Sequence, residues 1–186
     1  MNQNLENYIK IYNKLDPNFC DSIIKQIEKS NWDKHNFYVS VDDNYYSNEN
    51  DCMVTWNQIT NQDVLHQLVW DSLYEYVVKD LQFEWFNGWQ QFTGLRFNRY
   101  DYNTEMVNHC DHIHDIFDGV TKGVPVLSIV GILNDDFEGG DLMFFNNKKL
   151  DVKKGDIIIF PSNFLFPHKI EKITKGTRYS FVSWAW

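Results

Sequence analysis

From about residue 93 onward the chain is a succession of short apolar segments separated by turns. This pattern restricts its fold more than any other feature. The segments lie near 93–101, 104–110, 124–134, 140–145, 148–153, 156–160, 165–172 and 177–185, and each reads as a strand. Two helical stripes precede them. Asp16 and Pro17 pair an N-cap residue with the residue best suited to the first helical position. Phe19, Ile23, Ile24 and Ile27 then follow at helical spacing to about Ser30. Val64, Leu65, Leu68, Val69, Leu73, Tyr76, Val77 and Leu81 form the second stripe, predicting a long helix over about 61–81. Thr60 to Asp63 resembles a capping box with an aspartate at its last position. Two helices followed by many strands predict a mostly β fold, with the N-terminal helices packed on a β barrel or sandwich.

Glu6 to Tyr12 alternates weakly and predicts a short strand, as do 32–41, with Phe37, Val39 and Val41 on one face, and Met53 to Trp56. The polar stretch Asp42 to Asn50 holds two tyrosines and is either a solvated hairpin loop or a lid over a site. Phe83 to Phe92 predicts a turn at Asn87-Gly88 whose aromatics pack on the long helix.

Composition agrees with a packed β-rich fold, since 14 Phe, 10 Tyr and 7 Trp supply bulky core layers. A length of 186 residues predicts one domain, with 1–92 as support and 93–186 as the β core. The net charge of −9 repels phosphate backbones and disfavours nucleic acid as a partner. Cys20, Cys52 and Cys110 are odd in number and lack CxxC spacing, which predicts reduced thiols, with Cys110 in the core. The first ten residues carry no signal-peptide apolar core, and no apolar run reaches membrane-spanning length. The expectation is a cytoplasmic protein with no membrane partner.

Half of the six histidines fall within Met106 to Asp115. On a strand, His109 and Asp111 share a face, because side chains alternate with period two. An imidazole and a carboxylate at that spacing, joined by a distant histidine such as His168, make a facial triad that suits Fe(II) and leaves coordination positions open. His112 and His114 form a rival pair beside Asp115 and would face the other way. Arg178 and Ser180 also share a strand face. A guanidinium and a hydroxyl there suit the binding of a carboxylate.

The ordered set is more specific than any one motif. Leu95-Arg96-Phe97-Asn98-Arg99-Tyr100 is followed by His109-Cys110-Asp111, Ile132-Leu133-Asn134 and Phe137 to Phe144. Lys154 to Phe160, His168-Lys169-Ile170, Lys175 to Ser180 and Trp184 complete it. In order and spacing these blocks resemble the prolyl 4-hydroxylase-type group of Fe(II)/2-oxoglutarate-dependent dioxygenases. The resemblance implies a double-stranded β-helix, a distorted jelly roll of two sheets backed by helices. It implies that His109, Asp111 and His168 hold Fe(II), that Arg178 holds the distal carboxylate of 2-oxoglutarate, and that Ser180, Tyr100 and Asn98 line the cosubstrate pocket. Trp184 would pack behind the metal, and Arg96 would share the polar wall with Asn98 and Tyr100. The sequence departs from the group at Met106 and Ile132, where tyrosines are common, and at Asp141-Leu142 after the paired glycines.

The resemblance also implies an activity. The cosubstrates would be 2-oxoglutarate and O2, with ascorbate as a reductant. Hydroxylation of an unactivated C–H bond, foremost that of a prolyl residue in a peptide or protein, would release succinate and CO2. The alternatives are hydroxylation of another side chain or a small molecule, and a non-catalytic β-helix binding module. A nucleic-acid demethylase is disfavoured by charge. Specificity would come from Asp42 to Asn50, from Ile113 to Pro125 and from Arg96 and Asn98.

Overall fold

A computed structural model describes residues 4–39, 42–111 and 124–186. A 3-10 turn, Glu6–Tyr8, leads into strand β1 (Lys10–Asn13) and helix α1 (Pro17–Ile27). Four short strands follow: β2 (Asp33–Lys34), β3 (Phe37–Val39), β4 (Asn44–Tyr46) and β5 (Met53–Thr55). Helix α2 (Gln62–Tyr74) continues as π-helical turns over Glu75–Leu81. The β core then runs through β6 (Arg96–Tyr100), β7 (Met106–His109), β8 (Leu127–Ile132), β9 (Glu138–Gly139) and β10 (Leu142–Phe144). It ends with β11 (Lys148–Lys149), β12 (Asp156–Pro161), β13 (His168–Ile170), β14 (Ile173–Lys175) and β15 (Arg178–Ala185).

Two antiparallel sheets carry the architecture. The larger has the order β1-β12-β8-β15-β6-β5-β2, and the smaller β11-β10-β13-β7. From β6 to β15 the principal strands pass alternately between them: β6, β8, β12 and β15 in the large sheet, β7, β10 and β13 in the small one. This is the expected double-stranded β-helix.

The alternation of side chains along each strand builds two cores. Ile157 and Ile159 of β12, Ile129 of β8, Phe97 of β6 and Phe181 of β15 point to the helices. There they meet Cys20, Ile23 and Ile27 of α1 and Leu65, Val69 and Leu73 of α2. Ile158 and Phe160, Val130 and Ile132, and Tyr100 point the other way and pack with Leu142, Phe144 and Ile170 of the small sheet. β8 is buried along its whole length, which is why it reads as a continuous apolar run.

Local chemistry explains most boundaries. Asp16 Oδ1 accepts from the backbone N–H groups of Asn18 and Phe19, at 2.8 and 3.2 Å, and Pro17 opens α1. The capping box expected at Thr60 does not form. Asn61 takes a left-handed conformation (φ 63°) and its side chain caps nothing. Gln62 instead accepts from the Ile59 N–H at 3.3 Å. The expected strand at Glu6 to Tyr12 is half 3-10 turn. The turn expected at Asn87-Gly88 falls at Glu84-Trp85. Cys110 is not a core thiol: it is half-exposed, with Sγ 3.6 Å from the Phe164 carbonyl. Among the described residues, no helix is long and apolar enough to cross a membrane.

Gly131 sits where β8 passes beneath the Phe181 ring, and a Cβ there would lie 2.0 Å from a ring carbon. Phe181 is fully buried and has little room to yield. Gly131→Ala should therefore lower unfolding stability by about 1–3 kcal/mol, read from urea denaturation. An unchanged midpoint would mean that the Phe181 contact is soft.

Candidate metal centre

Antiparallel pairing of β7 with β13 sets His109 directly opposite His168. Their ring centroids are 4.4 Å apart. Strand β7 ends at His109, so Asp111 reaches the same point from the segment just beyond it, not from the strand itself. Asp111 Oδ1 lies 3.6 Å from His109 Nε2 and 3.8 Å from His168 Nε2. One donor atom from each of the three residues falls within 4.8 Å of the others. These separations exceed direct hydrogen bonds but suit three donors around one ion at about 2.0–2.2 Å each.

Each donor is oriented from behind. The Nδ1 atoms of His109 and His168 lie 2.8 and 3.0 Å from the carbonyls of Val107 and Phe166, each two residues upstream. Donation from Nδ1–H fixes the tautomer and leaves both Nε2 lone pairs facing Asp111. Ser128 Oγ donates to Asp111 Oδ2 at 2.6 Å, which frees Oδ1 for the centre. Phe144 and Phe160 close around the His168 ring at 5.4 and 5.0 Å. Burial pushes the Asp111 carboxyl up. The His168 and His109 rings and the Ser128 hydroxyl outweigh it and hold the group well below the usual carboxylate range. Burial pushes His168 down, so its imidazole stays neutral, as a metal ligand requires.

The same cavity is walled by alternate residues of three large-sheet strands. Tyr100 stands opposite Arg178, Asn98 opposite Ser180, and Arg96 opposite Val182. On the other side of β15, Ile132, Val130 and Ser128 stand opposite Ser180, Val182 and Trp184. All of the expected site residues except the rival histidines line or face this one cavity. His112, His114 and Asp115 lie outside the described residues, as does most of Ile113 to Pro125.

Arg178 is 1% exposed. Its Nη1 donates to Ser180 Oγ at 3.0 Å, and its guanidinium lies 5.2 Å from the Tyr100 ring centroid. Nη2 is buried with no hydrogen-bond partner, and no described carboxylate forms an ion pair with Arg178. Gly140 (φ +64°) makes room for it, since a Cβ there would press on Arg178 Cδ at 3.2 Å and on Ile173. The Asp42 to Asn50 stretch supplies β4, which pairs with β3, and Tyr45 and Tyr46 are about half exposed. Phe37 of β3 approaches the His109 ring edge-on at 6.4 Å.

Residues 95–186 match the 2OG-Fe(II) oxygenase superfamily. The chain belongs to that superfamily. PKHD-type hydroxylases align with the same half of it. One from Hyphomonas neptunium is 36% identical over 96 residues, covering 48% of this chain and 41% of that protein. One from Delftia acidovorans is 32% identical over 97 residues, with the same coverage. The alignments thus span under half the length of these relatives.

Solved structures of prolyl hydroxylases share the fold. A viral collagen prolyl hydroxylase from Paramecium Bursaria Chlorella virus-1, solved as a 2OG complex, superposes with TM-score 0.68 at 17% identity, covering 96% of this chain and 94% of that one. A Trichoplax adhaerens prolyl hydroxylase, in complex with a hypoxia inducible factor oxygen degradation domain peptide fragment, gives 0.71 at 17% identity, covering 100% and 86%. A Pseudomonas putida prolyl-4-hydroxylase gives 0.67 at 15% identity, covering 96% and 91%.

The superfamily implies Fe(II), 2-oxoglutarate and O2, and the cavity fits the first two on its own chemistry. Two imidazoles and a carboxylate are a donor set that suits Fe(II) and leaves coordination positions open. A sealed guanidinium with an unpartnered N–H is costly unless a carboxylate meets it. Sequence reasoning missed Ser128, whose signal was a lone hydroxyl in the apolar run Leu127 to Ile132. It also missed the carbonyls of Val107 and Phe166, which no side-chain pattern announces. Ser128→Ala should weaken metal affinity about tenfold with the fold intact, measured by calorimetric titration with Zn(II). Unchanged affinity would show that the hydroxyl does not orient Asp111.

Proposed function

We propose that the chain is a 2-oxoglutarate-dependent dioxygenase that hydroxylates an unactivated C–H bond and releases succinate and CO2. The favoured substrate is a prolyl residue in a peptide or protein. One observation carries this reading. The triad and the unpaired, buried Arg178 face a single cavity, so a metal ion and a dicarboxylate can be held together. The prolyl hydroxylases of the same fold, one of them bound to a peptide fragment, support the choice of substrate.

In this reading His109, Asp111 and His168 hold Fe(II), and Arg178 holds the distal carboxylate of 2-oxoglutarate. Ser180 occupies one arm of the guanidinium, which directs Nη2 to the cosubstrate. The Tyr100 ring beneath the guanidinium fixes its plane. Asn98 supplies a further polar contact on the same wall. Iron, 2-oxoglutarate and O2 together supply the oxidation, one oxygen atom going to succinate and the other to the substrate C–H bond. The chain's own task is to bind, orient and exclude water. Met106, Val130 and Leu142 do the last of these, being buried and apolar in the cavity wall. Ascorbate would act as an external reductant.

Incubation of a prolyl peptide panel with Fe(II), ascorbate and 2-oxoglutarate should yield succinate together with products heavier by one oxygen atom. Arg178→Met should raise the 2-oxoglutarate requirement about 100-fold while Zn(II) binding is retained. Loss of Zn(II) binding with an unchanged cosubstrate requirement would give Arg178 another role.

A further inference from the structure

A second guanidinium shares the cavity wall. On β6, Arg96 lies in the row of Val182 and Val130, two rows from Arg178. The next row holds Trp184 and Ser128, and Ser128 is the residue bonded to Asp111. Arg178 and Arg96 thus stand at different depths of the cavity, with Arg96 nearer the triad.

Arg96 is held on two sides. Its Nε donates to Asn98 Oδ1 at 3.2 Å, and its guanidinium carbon lies 5.1 Å from the Trp184 ring centroid. Both Nη groups remain as donors, and no described carboxylate pairs with them. The titratable groups around it are His35, Cys52, Tyr100 and Asp111. None is a free anion. Burial and the Arg96 charge push His35 down to about 3, and burial pushes the Cys52 thiol up to about 11, so both stay neutral. Burial also raises the Tyr100 phenol. Asp111 is already engaged with Ser128 and the two histidines.

The charge count leaves one position unfilled. Two guanidiniums, one carboxylate and a divalent ion give the cavity three positive charges. The dianion of 2-oxoglutarate removes two of them. A buried charge calls for a partner, so the last is met most favourably by a single negative charge on whatever binds beside the metal.

We propose that Arg96 forms a second anion subsite in this cavity and takes a carboxylate of the primary substrate, leaving Arg178 to the cosubstrate. This rests on reading the cavity as a metal and 2-oxoglutarate site. A planar fork with both Nη amino groups free, lying over an indole, is suited to a bidentate carboxylate contact. The substrate then carries its carboxylate close to the oxidised C–H bond, as a free acid does, or as an acidic residue beside a proline does.

The test uses the full chain loaded with Zn(II) and 2-oxoglutarate, so that no turnover occurs, and calorimetry as the readout. Two matched pairs separate the sources of the carboxylate. The first is N-acetyl-L-proline against its amide. The second is a capped Pro-Glu peptide against Pro-Gln. At least one acid should bind about tenfold more tightly than its partner. Arg96→Met should abolish that preference while 2-oxoglutarate affinity stays within about twofold, and Arg96→Lys should restore part of it. No acid preference in either pair, including binding of neither member, overturns the subsite. So does a loss of 2-oxoglutarate affinity in Arg96→Met as large as that in Arg178→Met. Failure of the unaltered chain to bind 2-oxoglutarate at all would instead remove the reading of the cavity itself.

Discussion

Strands buried on both faces are the constraint on which the rest of this molecule depends. Because side chains alternate, every second residue of β8, β12 and β15 belongs to the core under the helices, while the others pack toward the small sheet, where those of β15 and Val130 of β8 line the cavity. Stability and chemistry are therefore written on the same strands, one residue apart. Phe181 anchors β15 under the helices while its neighbours Ser180 and Val182 wall the cavity. A register slip of one residue would exchange the two sets and destroy both. The close passage of Gly131 beneath Phe181 is one device that pins this register.

Electrostatics inside the cavity opposes that of the chain as a whole. The protein carries a net charge of −9, yet the cavity wall holds two arginines against the single carboxylate of Asp111. Burial of Arg178 without a described counterion is unfavourable in itself, and a bound dicarboxylate relieves it. Ser180 and Tyr100 hold the guanidinium in place before any ligand arrives, so less ordering remains to be done on binding. Ser128 and the two backbone carbonyls prepare the triad in the same way.

Much of this was legible in the sequence because it follows from short-range rules. Asp16-Pro17 announced α1, and period-two alternation placed Arg178 and Ser180 on one face. The distant partner His168 became legible through the order of blocks around it, and strand pairing sets it opposite His109. What was not legible depends on contacts made only in three dimensions. Asp111 lies past the end of its strand, so strand alternation gave the right neighbour for an incomplete reason. Cys110 follows the same break and faces the Phe164 carbonyl, not the core. The left-handed Asn61 replaces the capping box because Gln62 folds back to Ile59, a local competition that propensity does not resolve.

The central claim is that one cavity holds Fe(II) and 2-oxoglutarate together, with both ends of the cosubstrate gripped. Anaerobic addition of Fe(II) and 2-oxoglutarate to the full chain, followed by visible absorption, tests it most directly. The account predicts a weak metal-to-ligand charge-transfer band that needs both components and is absent from His168→Ala. No band, together with no retained metal, would contradict it.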